Sequence, residues 1–111
     1  MKTIRPWGSF AVLFETDETK VKKITVNPNQ RLSYQSHEFR DEVWFIFSGK
    51  AKVTINDVVV NVNCGSSVFI PRNTKHRIES LGDEVIFFES QTGSSFSEDD
   101  IIRYEDDYNR I

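Results

Sequence analysis

Residues 42–62, EVWFIFSGKAKVTINDVVVNV, decide the fold. β-Branched and aromatic residues dominate this stretch, and such side chains favour the half-buried surface of a sheet. Ser48-Gly49 and Asn56-Asp57 interrupt it with residue types that tolerate turn geometry. Three strands are therefore predicted, at 42–48, 51–56 and 58–62.

The rest of the chain continues this pattern. Further strands are predicted at 9–14, 20–26, 31–37, 67–70, 75–80 and 84–91. Val and Ile together number 21, against six for Ala, Leu and Met combined, and there are nine Phe. About nine short strands must close into a barrel or pair as a two-sheet sandwich to protect their edges, and a small barrel leaves a cavity at its mouth. We therefore expect an all-β domain, with a helical turn only after Ser97, where three acids follow a capping residue.

Length and charge exclude several classes of protein. The 111 residues and 12.9 kDa predict one domain over residues 1–111, and the single Cys64 permits no intrachain disulfide. No signal-peptide pattern and no apolar run of ~20 residues occurs, so we expect a cytoplasmic protein without a membrane partner. The net charge is −3, and residues 98–110 carry six acids and two bases. This acidic balance argues against nucleic-acid binding.

Four polar residues predict a metal site. Gln35 and His37 lie on one face of the strand predicted at 31–37, and a tight reversal brings Glu42 onto the neighbouring strand. His76 begins a later strand that could supply a fourth ligand across the barrel. Two nitrogens and two oxygens suit zinc, and also manganese, iron, cobalt or nickel, with open positions for water or substrate. The alternative is that Glu42 is a surface carboxylate and Gln35 a solvated amide.

Two spacings carry a family resemblance. The first runs Asn29, Gln35, His37, Glu42 and Gly49, and the second runs Gly65, Pro71, Asn73 and His76. They resemble the two motifs of the cupin superfamily, with Gln35 in place of the first histidine. Five longer segments are similar to the cupin domain of type II mannose-6-phosphate isomerases: RPWGSF at 5–10, KVKKITVNPNQRLSYQSH at 20–37, RDEVWFIFSGKAKVT at 40–54, IPRNTKHRIES at 70–80 and SEDDIIRYEDDYNR at 97–110.

The resemblance implies a double-stranded β-helix, or jelly roll, that holds one divalent metal ion through Gln35, His37, Glu42 and His76. It also implies interconversion of mannose 6-phosphate and fructose 6-phosphate. Longer members add a nucleotidyltransferase domain, which this sequence lacks, so we expect only the isomerase activity. Glu38 and Phe39 follow His37 where many members have further histidines, which leaves the identity of the substrate open.

Isomerisation requires a proton to move between C2 and C1 of the sugar, so a base with a pKa near neutrality is needed. Glu89 and a metal-bound water are the two candidates. Gln91 lies two residues from Glu89 on the same predicted face and is a candidate substrate-binding residue. The alternative for Glu89 is a salt bridge to Lys22 or Arg103.

A phosphorylated substrate also needs cations, for which guanidinium groups are well suited. Lys22, Arg40 and Arg103 are the candidates, and Arg40, which lies directly in the ligand hairpin, is also a candidate catalytic residue. Lys22 could instead extend to water at a strand end, and Arg103 could pair locally with Asp99, Asp100 or Glu105.

Three functions compete at this stage. The first is a metal-dependent sugar-phosphate isomerase, the second a non-catalytic sugar-phosphate-binding cupin, and the third another metal-cupin enzyme such as an epimerase or dioxygenase. The expected partner is a small-molecule sugar phosphate. The exposed apolar run at 58–62 further predicts pairing with a second subunit, which gives a homodimer.

Overall fold

The computed structural model describes residues 1–111 and consists of two antiparallel sheets without a helix. The strands are β1 (Lys2–Arg5), β2 (Gly8–Glu15), β3 (Thr19–Val26), β4 (Tyr34–Ser36), β5 (Arg40–Ser48), β6 (Ala51–Ile55), β7 (Val58–Val62), β8 (Ser67–Ile70), β9 (His76–Ser80), β10 (Val85–Gly93) and β11 (Ile102–Glu105). The first sheet has the order β1-β2-β3-β10-β5-β8, and the second β11-β4-β9-β6-β7. The all-β prediction is confirmed. No helix long and apolar enough to span a bilayer is found.

Rows of side chains across the first sheet change from apolar to polar. Ile24, Phe87 and Ile46 are in register on β3, β10 and β5, and all three are buried in the apolar core. Two residues further along these strands, the next inward-facing row contains Lys22, Glu89 and Trp44. Because successive inward side chains are separated by two residue rises, the same strands form the apolar core at one end and a polar cavity at the other.

The turn predicted at Asn56-Asp57 is confirmed by its backbone. Both residues have positive φ, 46° and 68°, as the two-residue hairpin between β6 and β7 requires. Asn and Asp tolerate this conformation better than most residues with a Cβ atom, since their short polar side chains can bond locally.

Three predictions of local structure differ from the fold. Strands β1 and β11 were not predicted, and the strand predicted at 31–37 is ordered as a strand only over Tyr34–Ser36. After Ser97 a single hydrogen-bonded turn forms, from the Asp100 N–H to the Ser97 carbonyl at 3.1 Å, rather than a helix. The chain turns there because it then pairs with β4 as β11.

Two apolar surfaces remain exposed. On the outer face of the first sheet, Phe45, Phe47 and Phe69 are each 44–60% exposed. On the free edge of the second sheet, Val58 and Val60 of β7 are 63% and 46% exposed.

Candidate metal centre

His37, Glu42 and His76 meet inside the barrel. His37 follows β4, Glu42 lies on β5 and His76 opens β9, so three separate strands position them. Glu42 Oε2 lies 3.3 Å from His37 Nδ1, and Glu42 Oε1 lies 3.8 Å from His76 Nε2. One candidate ligand atom from each residue lies within 4.8 Å of the other two, and all three residues are buried.

These distances fit a shared metal ion. Two ligand atoms that bind one ion at ~2.1 Å in tetrahedral geometry are ~3.4 Å apart. The His76 Nδ1 lies 2.8 Å from the Thr74 carbonyl, which accepts a hydrogen bond from the Nδ1–H and leaves the Nε2 lone pair facing Glu42. The cluster therefore has the donor chemistry, and for His76 the orientation, that a divalent ion requires.

Both imidazoles are neutral near pH 7. Burial, assisted by the positive charge of Arg40 and by repulsion from His76 whenever that ring is protonated, lowers the pKa of His37 to about 3. Burial also lowers the pKa of His76. Neutral imidazole is the metal-binding form of histidine, so no proton has to be displaced from either ring at neutral pH.

Gln35 lines the same cavity as this cluster. Its Cα is in register with that of His76 on β9 and with that of Arg103 on β11. Its side-chain amide donates a long hydrogen bond, 3.4 Å, to the Ser33 carbonyl. The structure thus places Gln35 beside the cluster, and its role as a fourth ligand stays a prediction.

Glu42 is held by two buried donors. Arg40 Nε donates to Glu42 Oε2 at 3.1 Å, and the Trp44 indole N–H donates to Glu42 Oε1 at 3.0 Å. Arg40 Nη1 also donates to the Ser97 carbonyl at 3.2 Å. Arg40 lines the cavity as predicted, but these bonds direct it toward the Glu42 carboxylate rather than leave its guanidinium free for a phosphate.

Glu89 is buried in the cavity wall beside Glu42. The Trp44 indole N–H also donates to Glu89 Oε1 at 3.3 Å, and the Gln91 amide donates to Glu89 Oε2 at 3.1 Å. Burial, together with the negative charge of Glu42, raises the pKa of Glu89 to about 8. No salt bridge joins Glu89 to Lys22 or Arg103, so the alternative that Glu89 serves only as an ion-pair partner of these cations is wrong.

Gln91 is not part of the cavity wall. It is fully buried, its amide points at Glu89, and its Oε1 has no hydrogen-bond partner. Residues 89 and 91 share inward parity, and the Cα of Gln91 is in register with that of Glu42 on β5, but the Gln91 side chain does not reach the cavity surface. Its place in the structure is that of a residue positioning Glu89 and not of a substrate contact.

Basic side chains also line the cavity. Lys22 is only 4% exposed, so it does not extend to bulk water. Arg103 forms no ion pair with Asp99, Asp100 or Glu105, and its Nε is buried without a partner. Arg5 and Arg110 belong to the same lining, and neither had been singled out from the sequence. The cavity holds about 690 Å³, including its open mouth.

The contributions of Arg5, Glu98 and Trp44 were missed by sequence reasoning. From the sequence, Trp44 is expected only to pack inside the barrel near the site, yet its single N–H bridges the two buried carboxylates. Alternation along β5 shows that it faces inward but does not show what its nitrogen contacts. Arg5 and Glu98 lie in two segments of the family resemblance, but their spacing gives no sign that they meet.

The whole-chain comparison decides the family. A family model described as "Mannose-6-phosphate isomerase C-terminal" matches residues 1–106. The chain belongs to this family. Within the mannose-6-phosphate isomerase C-terminal family, the chain is 40% identical over 110 residues to the xanthan biosynthesis protein XanB of Xanthomonas campestris pv. campestris strain B100. It is 38% identical over 108 residues to the mannose-1-phosphate guanylyltransferase ManC of Salmonella typhimurium.

These relatives are much longer than the family domain itself. The alignments cover 98% and 96% of this chain but only 24% and 22% of XanB and ManC. The chain therefore spans about a quarter of the curated relatives it matches. The activities in the names of these relatives describe proteins that are about four times as long as the matched region.

Solved structures confirm the fold of the family domain. Oxalate decarboxylase from Bacillus subtilis superposes with a TM-score of 0.84 at 18% identity, over 94% of this chain and 30% of that one. The capsular polysaccharide assembling protein CapF from Staphylococcus aureus gives a TM-score of 0.78 at 22% identity, over 95% and 32%. KdgF from Halomonas gives 0.79 at 13% identity, over 85% and 86%. The predicted cupin jelly roll, or double-stranded β-helix, is confirmed.

Proposed function

We propose that this domain is a metal-dependent aldose–ketose isomerase that interconverts mannose 6-phosphate and fructose 6-phosphate. One observation carries the proposal: the His37–Glu42–His76 cluster, the buried Glu89 carboxylate and several cations line one cavity. A ligand with adjacent sugar oxygens at one end and a phosphate at the other matches that distribution of charge.

Each group of residues has a separate role in the proposed reaction. His37, Glu42 and His76, with Gln35 as the fourth ligand, hold one divalent ion, zinc by donor type. When bound, this ion supplies Lewis-acid polarisation of the sugar oxygens. Arg40 and Trp44 fix the orientation of Glu42.

Glu89 is our choice for the proton carrier. Its ionised carboxylate takes the proton from C2 of the aldose and delivers it to C1 of the enediolate so formed, while the O2 hydroxyl proton passes to O1, which gives the ketose. Trp44 and Gln91 hold the carboxylate in place. Lys22 and Arg103, which line the same cavity from the two sheets, bind the phosphate.

Two variants separate these roles. Glu42→Gln should lower both bound zinc and interconversion of the two sugar phosphates, measured by elemental analysis and a coupled assay. Glu89→Gln should retain zinc and lose interconversion together with solvent deuterium uptake at C2. Glu84→Gln, an exposed carboxylate, is the control. Zinc-loaded wild-type protein that converts neither sugar phosphate contradicts the proposal.

A second candidate function is a sugar-phosphate-binding module without catalysis. The observation that favours it is the row of cavity cations, which could bind a phosphate without any metal. Binding of mannose 6-phosphate that is equally tight with and without chelator, in protein that shows no deuterium uptake, favours this candidate over the isomerase.

We also propose that two copies pair along the free edge of β7. Val58 and Val60 are exposed there, and an antiparallel strand related by a two-fold axis would cover both edges at once. Light scattering should show a dimer for the wild type and a monomer for Val58→Lys/Val60→Lys. A dimer that survives this change but is lost in Phe47→Ser moves the interface to the outer face of the first sheet. A 12.9 kDa particle at micromolar concentration removes the proposal.

A further inference from the structure

Two cations at the open end of the cavity share one carboxylate. The Lys22 ammonium lies 3.4 Å from Glu98 Oε2, and Arg5 Nη2 lies 3.8 Å from Glu98 Oε1. Both cations also lie over the ring of Phe10, at 4.2 Å and 5.1 Å from its centroid. The Arg5 and Lys22 cations therefore converge on one point, which the Glu98 carboxylate occupies and which we call the shared point.

Glu98 is held there only loosely. The Lys22 side chain is 6% exposed, whereas that of Glu98 is 49% exposed. Both ion-pair distances are longer than a well-formed charge-assisted hydrogen bond of 2.7–2.9 Å. A half-exposed pair of this kind contributes little stability, so the carboxylate can leave at small cost while the buried ammonium stays in place.

The backbone that carries Glu98 is fixed on both sides. Arg40 donates to the Ser97 carbonyl. The Asp100 carboxylate accepts the backbone N–H groups of Glu38 and Phe39 at 2.9 and 3.0 Å. Displacement of Glu98 therefore requires only rotation of its side chain and no opening of the segment.

The shared point lies away from the metal cluster. Lys22 and Glu42 are separated by two strand spacings and two residues of register on the first sheet. Spacings of ~4.8 Å and ~3.4 Å place their Cα atoms ~12 Å apart. One ligand could therefore contact the metal cluster at one end and the cations at the other.

We propose that Arg5 and Lys22 form the phosphate subsite of this cavity and that Glu98 occupies it until the phosphate of the ligand displaces it. The inference rests on the proposed function for the chemical class of ligand, a sugar phosphate. A phosphate dianion carries more charge than a carboxylate and offers three acceptor oxygens. It can satisfy both cations at once, and the unpartnered Arg103 Nε lies in the lining of the same cavity, on the second sheet.

The displaced carboxylate also contributes to specificity. A neutral sugar offers nothing to exchange for Glu98, so it gains no contact with Arg5 or Lys22. A phosphorylated sugar replaces a weak ion pair by a stronger one. Competition from Glu98 thus lowers the affinity for every anion while leaving the preference for phosphate intact.

Calorimetry tests the subsite without turnover. Binding of mannose 6-phosphate and of inorganic phosphate is measured in chelator. Glu98→Gln should tighten both Kd values about two- to fivefold, since an occupying carboxylate no longer competes. Asp99→Asn makes the same charge change one residue away in the same exposed turn, without an ion pair, and should leave both values unchanged. Arg5→Gln should weaken binding about tenfold.

Combining Lys22→Met with Glu98→Gln forms a double-mutant cycle that measures the coupling between these two residues. In this background the gain from Glu98→Gln should shrink, because one of the two shared cations is gone. Arg5→Gln, at a partly exposed position, provides the same test if Lys22→Met does not fold.

Equal Kd values for Glu98→Gln and Asp99→Asn overturn the subsite, whatever the catalytic activity of the wild type. Tighter binding by Glu98→Gln in a protein that interconverts no sugar phosphate supports the subsite and removes the isomerase.

Discussion

Glu89→Gln should change how the stability of the protein depends on pH. In the metal-free protein two buried groups oppose one another between pH 7 and pH 5. Burial lowers the pKa of His37 to about 3 and raises the pKa of Glu89 to about 8. Replacement of Glu89 by Gln removes one of these effects and leaves the other.

The signs follow from which state binds more protons. Below its ordinary pKa of 6.5, His37 is protonated in the unfolded chain but not in the folded protein, so stability falls as the pH falls. Above its ordinary pKa of 4.5, Glu89 keeps its proton in the folded protein but not in the unfolded chain. Its contribution is fully present below pH 4.5 and is lost as the pH rises through about 8.

The two contributions are similar in size. From pH 7 to pH 5, His37 lowers the free energy of unfolding by about 2 kcal/mol. Glu89 raises it by about 2 to 3 kcal/mol over the same interval. His76, whose pKa is also lowered by burial, adds to the effect of His37. Glu89→Gln should therefore lose about 2 to 3 kcal/mol more than the wild type between these pH values.

Urea unfolding at pH 7, 6 and 5 in chelator measures this difference directly. Glu84→Gln, at an exposed carboxylate, should reproduce the wild-type profile. Wild-type and Glu89→Gln profiles that run parallel would refute the reasoning, because Glu89 would then hold no extra proton in the folded state.

Three further outcomes are expected. Trp44→Phe removes the one N–H that bridges two buried carboxylates and should lower the free energy of unfolding by about 1 to 3 kcal/mol. The same variant should bind zinc more weakly in an equilibrium competition assay. An unchanged zinc affinity would exclude a positioning role for Trp44. Gly8→Ala places a Cβ against the Thr25 carbonyl at a φ of +155° and should lower the melting temperature by several degrees, since the backbone cannot yield. Asp100→Ala frees the two N–H groups of Glu38–Phe39 and should accelerate their hydrogen exchange by about tenfold, with protection equal to the wild type as the contrary result.

Much of the fold could be predicted because strand formation in the core depends on neighbours along the chain. Alternation in residues 42–48 and 84–91 shows which side chains face inward. The same alternation, with one tight reversal, carries His37 and Glu42 to a common face. Strands β1 and β11 carry no such signal in their own sequences. Ile102–Glu105, for example, is largely exposed and becomes a strand only through pairing with β4.

The sequence by itself determined the all-β class, the inward parity of the site residues and the residue types of the metal cluster. Tertiary structure alone decided that Gln91 is fully buried against Glu89, that Trp44 bridges two carboxylates and that Glu98 reaches Lys22 from 76 positions away. The physical reason is the separation along the chain of the residues that interact. Side-chain alternation depends only on adjacent peptide units. Register between strands, by contrast, is set by packing between residues that are distant in the chain.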